Sequence, residues 1–160
     1  MITSHVAVNT GAEPTRHHRR AADRLVCSFA VEGHASGEPL PEADARRVGH
    51  MRRVVAALLR HLAPDSLVDT AELIVSELVT NALKHGKGEV QVSMVLTATH
   101  VRLAVSSAHP GGRPEVRAAA PDDECGRGLA LVEALSDEWG TSDAGTETWA
   151  LCRTSESEAE

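Results

Sequence analysis

The stretch from Ser66 to Gly86 constrains the rest of the chain most strongly. Ala71, Val75, Leu78, Val79 and Ala82 recur at three- and four-residue spacing, the period of a helix with one apolar face. Pro64 and Asp65-Ser66 punctuate its start. Ser66 with Asp69 three residues later resembles a capping box in which Asp replaces the usual Glu. The helix is predicted to run from Ser66 to Lys84 or His85 and to stop at Gly86. After it, Glu89 to Leu96 and Val101 to Ser106 read as two strands joined by a turn near Thr97–His100, an antiparallel hairpin.

The core that such a helix covers has to be aliphatic. Aromatic residues make up 2% of the 160 residues (Phe29, Trp139 and Trp149, with no Tyr), so Ala, Val and Leu must fill it. The same scarcity excludes a groove that stacks single-stranded bases on several rings. A net charge of −7 argues against a phosphate-backbone binder, so no nucleic acid is expected. The charge is uneven: residues 1–120 sum to +2 and residues 121–160 to −9. No apolar run approaches the roughly 20 residues of a membrane helix, and the N-terminus has no signal-peptide core. No membrane association is expected, and the cytoplasm is the expected location. Cys27, Cys125 and Cys152 are odd in number and widely spaced, which suggests neither a disulfide framework nor a zinc site.

Residues 1–22 read as a flexible arm, residues 23–153 as one domain and residues 154–160 as an acidic, disordered tail. Within the domain, Leu25 to Val31 is a strand and residues 33–41 a loop. Glu42 to His61 is a helix with Val48, Met51, Val55, Leu58, Leu59 and Leu62 on one face. Its arginines (Arg46, Arg47, Arg52, Arg53 and Arg60) form either a partner surface or a solvated face. Residues 108–125, rich in Pro and Gly, have the length of a lid. Gly126 to Ser136 is a helix, and Glu138 to Thr141 and Thr146 to Arg153 close the domain as strands. The order implies an α+β two-layer sandwich, with helices packed on one face of a mixed, mostly antiparallel sheet.

Two clusters carry chemistry. On the helix from Ser66, Asn81 falls about 40° from Glu77, Lys84 about 20° the other way and His85 about 80° on, away from the apolar face. Leu73 and Ile74 flank Glu77, so a partly desolvated carboxylate is expected, suited to a metal ion or a general base. A polar surface stripe is the other reading. Downstream, Gly126-Arg127-Gly128-Leu129 opens a helix. There glycines admit close backbone approach and N-terminal amides face an anion.

Together, Glu77-Leu-Val-Thr-Asn81-Ala-Leu-Lys-His85-Gly86 and Gly126-Arg-Gly-Leu-Ala-Leu-Val132 resemble the anti-sigma factor serine kinases of bacterial partner-switching systems. These share an ATPase superfamily with gyrase-type topoisomerases, the large heat-shock chaperone and histidine kinases. Trp139-Gly140 and Thr148-Trp149-Ala150 also match family endings. The resemblance implies that Asn81 binds Mg²⁺ on the ATP phosphates and that Glu77 takes the proton from a partner's serine. It also implies that Gly126, Arg127, Gly128 and Leu129 close over the phosphates, with Lys84 and His85 alongside. The implied partners are a sigma factor, an anti-anti-sigma protein or both, with homodimerisation. The Glu42–His61 helix would then be the contact surface.

One position departs from the family. Ser107 stands where the family has an Asp that reads the adenine amino group. A hydroxyl accepts a weaker bond than a carboxylate, a difference on the order of 1–3 kcal/mol. Two readings follow. One is an ATP-dependent serine kinase; the other is a binding module of the same fold that sequesters its partner without ATP.

Overall fold

A computed structural model describes residues 23–32, 39–109 and 127–154. In chain order the elements are β1 (Asp23–Val31), α1 (Glu42–Leu59), α2 (Asp65–His85), β2 (Lys87–Leu96), β3 (His100–His109), α3 (Arg127–Leu135), β4 (Glu138–Thr141) and β5 (Glu147–Arg153). The strands form one sheet in the order β1-β2-β3-β5-β4. All four pairings are antiparallel, which sharpens the expected mixed, mostly antiparallel sheet. The reason is the last hairpin. The chain leaves β3, passes through α3 and returns as β4 at the sheet edge, after which β5 folds back into the gap between β3 and β4. The turn that allows this ends at Gly145, whose φ of 68° is a left-handed conformation natural to glycine.

Period-two alternation places one apolar row on the inner face of the sheet. Met94 pairs with Leu25 on one side and with Leu103 on the other, and Leu103 pairs with Ala150. Val92, Met94, Val101, Leu103, Ala150 and Cys152 are all buried. α2 packs on this face against β2, β3 and β5, with α1 and α3 against α2. The Arg47 guanidinium of α1 lies 5.4 Å from the Phe29 ring centre on β1. The largest fully buried side chains include Leu59, Ile74, Leu78, Leu83, Met94 and Leu103, so the core is aliphatic, as the composition requires. Trp139 and Trp149 fall on the closing strands. Trp139 packs against the core, while Trp149 lies against Gly140 and under Arg102.

Several boundaries differ from the sequence expectation. α2 starts at Asp65, and Pro64 is its N-cap with no side-chain cap bond. Ser66 therefore sits inside the first turn and makes no capping box, while the Pro64 carbonyl accepts from the amides of Leu67 and Val68. α1 ends at Leu59, and the following residues turn, with the Ala63 amide donating to the Leu59 carbonyl at 2.9 Å. β3 runs on to His109, so Ala108 and His109 belong to the sheet. The remainder of the expected lid, Gly126, Cys125, the N-terminal arm and nearly all of the acidic tail lie outside the described residues.

Candidate functional site

The polar stripe of α2 forms, but its setting differs from the helical-wheel expectation. Glu77, Asn81 and Lys84 are half-buried and His85 is exposed. Ile74 is fully buried within the core, whereas Leu73 is 44% exposed. Glu77 is therefore not clamped between two aliphatic side chains. α2 is contacted by two helices and three strands. Its buried arc is wider than the wheel allowed and takes Ile74 inside.

The second sequence cluster comes to Glu77 through α3. A Cβ built on Gly128 would lie 2.5 Å from Glu77 Oε2 and 3.5 Å from its Cδ. Only a residue without a side chain lets the backbone of α3 come this close to the carboxylate. The contact lies in the first turn of α3, where amides have no helical partner and the helix dipole favours negative charge. Arg127 begins this helix. Leu129 is buried, so its backbone amide is what it can offer a ligand. Glu77 thus adjoins the first turn of α3, whose amides suit an anion, and Asn81 lies one turn further along α2.

A different arrangement occupies the C-terminal end of α2. Gly86 is buried, and a Cβ there would collide with Ser107 Oγ and stand 2.6 Å from the Ala82 carbonyl oxygen. Gly86 has a φ of −95°, which any residue can adopt, so glycine is needed for space rather than for conformation. Ser107 is 8% exposed. Its hydroxyl donates to the Lys87 carbonyl at 3.4 Å, and its amide donates to the Thr146 carbonyl at 2.9 Å. Thr148 of β5 is also buried and pairs with Val105, two residues before Ser107. Val105 and Ser107 share the inner face, so the two hydroxyls lie on that face near each other. The sequence reading gave Thr148 no role at the site. The available signal was its alternation with Ala150 and Cys152, which points it inward.

The electrostatics around these groups are local. Partial burial lowers the His85 pKa from its ordinary value, and the neighbouring Lys84 ammonium lowers it further. Burial and then the Asp137 charge push the Cys152 thiol up to about 11, and burial also raises Cys27. Both thiols are therefore protonated near neutrality and poor nucleophiles. Among the described residues no three His, Cys, Asp or Glu side chains converge on a metal position. On α1, Arg46, Arg47 and Arg52 reach Glu42, Asp44 and Glu72, while Arg53 and, just past its end, Arg60 are exposed. No helix among the described residues is long and apolar enough to cross a membrane.

Residues 41–151 match the model of the family described as the histidine kinase-like ATPase domain. The match starts immediately before α1 and ends in β5, so it contains Glu77, Asn81, Gly86, Ser107, Gly128 and Thr148 and leaves out β1. No curated protein matches the chain.

Proposed function

From the premise that the chain belongs to the histidine kinase-like ATPase family, we propose that it is an ATP-dependent regulator that phosphorylates a serine on an anti-anti-sigma partner. In the same reading it holds a sigma factor and acts in the cytoplasm. The observation that carries this is the approach of Gly128 to the Glu77 carboxylate, which joins a candidate base to the free amides of α3.

Membership of the family implies ATP and, with it, Mg²⁺. The residues where α2 meets α3 have groups suited to both. The amides of Gly128 and Leu129 suit phosphate oxygens. The Asn81 amide oxygen suits a cation that takes most of its ligands from phosphates and water, as Mg²⁺ commonly does. When bound, the nucleotide supplies the phosphoryl group and the cation neutralises its charge. The chain's own residues do the remainder. Glu77 accepts the proton of the serine hydroxyl, and α3 holds the phosphate against it. Exposed Leu73, one turn before Glu77, borders the side from which a protein substrate would enter. Arg53 of α1 and Arg60 just past its end give that partner, or a second copy of the chain, a basic surface.

A second reading is favoured by Ser107, which leaves the base end without a carboxylate among the described residues. In it the same fold binds its partner without nucleotide. Calorimetric titration with Mg²⁺-ATP separates the two. Binding by the native chain that is lost in Asn81→Ala supports the kinase. Absence of binding by the native chain, with binding gained in Ser107→Asp, supports the nucleotide-free module.

A further inference from the structure

Two buried hydroxyls, Ser107 and Thr148, lie on the inner face of the sheet, Ser107 against the end of α2, and they bear on which nucleotides the chain accepts. Buried polar side chains among the described residues are three: Asp44, Ser107 and Thr148. Asp44 lies on α1 and is tied to Arg47 at 2.7 Å. Ser107 and Thr148 share the inner face of the sheet, and Ser107 adjoins Gly86. From Glu77 to Gly86 is nine residues of α2, about 13 Å at the helical rise. A nucleoside triphosphate laid along α2 with its terminal phosphate at Gly128 would place its base near this pair of hydroxyls.

We propose that this end accepts purine nucleoside triphosphates without discriminating a 6-amino from a 6-oxo base, so that ATP, GTP and ITP are all ligands. The inference rests on the nucleotide-binding reading above. A carboxylate only accepts hydrogen bonds; it pairs with an exocyclic amine and repels a carbonyl oxygen. A hydroxyl both donates and accepts, and its proton rotates to suit the partner. The bond that now holds the Ser107 hydroxyl, 3.4 Å to the Lys87 carbonyl, is at the long limit of hydrogen-bond geometry, so little is lost when it turns to a ligand. Strong discrimination arises when the wrong ligand leaves a buried polar group unpaired. With Ser107 and Thr148, either edge of the purine finds a partner.

The test titrates the full chain with the Mg²⁺ complexes of ATP, GTP and ITP by calorimetry, and repeats the series with Ser107→Asp and Ser107→Ala. Dissociation constants within about threefold of each other for the native chain support the proposal, as does a preference of roughly tenfold or more for ATP in Ser107→Asp. Ser107→Ala removes the group without adding bulk next to Gly86. It is expected to weaken ATP and GTP by equal factors. A native preference of tenfold or more for ATP overturns the proposal and leaves the ATP-dependent reading standing. A Ser107→Ala chain that loses ATP alone overturns it too. Binding of none of the three by the native chain overturns both this proposal and the nucleotide reading beneath it.

Discussion

At Glu77 a carboxylate of α2 meets a glycine of α3; nine residues along the same helix, Gly86 of α2 meets a hydroxyl of β3. Both contacts depend on a missing side chain, yet they bring together different chemistry. The first sets a negative charge beside the first-turn amides of α3, with a half-buried side-chain amide one turn along α2, groups that handle phosphate and a proton. The second packs a helix end onto the sheet and leaves hydroxyls that can bond in either direction. Across this cleft, the end that would do chemistry is specified by charge, whereas the end that would choose a ligand is not. The contrast is sharpened or broken most directly by substitution at each end in turn.

The largest effect is expected from Glu77→Gln. The amide keeps the size of the side chain but cannot take a proton. Phosphoryl transfer to a partner serine is expected to fall by about 10²–10⁴-fold, the usual worth of a general base, with Mg²⁺-ATP affinity nearly unchanged. Single-turnover transfer of labelled phosphate, with calorimetry alongside, reads both. A loss of binding equal to the loss of rate would place Glu77 in ground-state contact and remove it as the base. Asn81→Ala comes next. Losing one ligand to a charged group costs about 1.5–3 kcal/mol, or roughly 10–100-fold in affinity. If the phosphate end is blind to the base, ATP and GTP weaken by the same factor.

Much of this was legible in the sequence, for identifiable reasons. α2 was found because its apolar spacing is regular and Gly86 ends it. The hairpin of β2 and β3 was found because its residues alternate. The meeting of Glu77 with Gly128 is not in the sequence pattern, because no local pattern reports a contact between residues 51 apart; the family resemblance implies only that both clusters face one nucleotide. Two readings missed for physical reasons. The wheel placed Ile74 beside Glu77 because it counts angles and cannot know that five elements crowd around α2. Ser66 looked like a cap, but the helix begins earlier, from Pro64, whose fixed backbone angle and carbonyl start it without a side-chain bond. Gly86 ends α2 where the sequence places the stop, but its φ is ordinary and glycine is needed there for space. Thr148 went unassigned because a threonine in a strand is commonly a filler of the pleated surface.

The two glycines give the third prediction. A Cβ at Gly86 meets the Ala82 carbonyl oxygen at 2.6 Å and Ser107 Cβ on β3 at 3.0 Å, both fixed by the backbone. Gly86→Ala is expected to cost about 1–3 kcal/mol, in the range for overpacking a tight contact, and to lower Tm by roughly 2–4 °C per kcal/mol in a chain of this size. A Cβ at Gly128 meets the end of a flexible carboxylate instead. Gly128→Ala is expected to change stability by about 0.5 kcal/mol or less, yet to displace Glu77 and slow transfer. Thermal melts of both variants decide the matter. Equal losses in Tm would mean that the two contacts are equally rigid, and the contrast between the ends would fail.

The smallest effect is expected from His85, and its sign follows from the cause of its shift. Partial burial and the Lys84 charge both disfavour the imidazolium, so His85 releases its proton more readily in the folded chain than in the unfolded one. In the window between its depressed folded pKa and the ordinary value of 6.5 the unfolded chain binds more protons, and stability therefore falls as pH falls. Above that ordinary value the neutral ring costs nothing. Because the side chain is exposed, solvent screens both causes and keeps the effect small. His85→Gln is expected to flatten the stability profile as pH falls below the ordinary value of 6.5, and to leave Tm at pH 8 where it was. Denaturant melts at a series of pH values read the difference. If the variant keeps the native slope, protonation at the end of α2 is not what limits stability in mild acid.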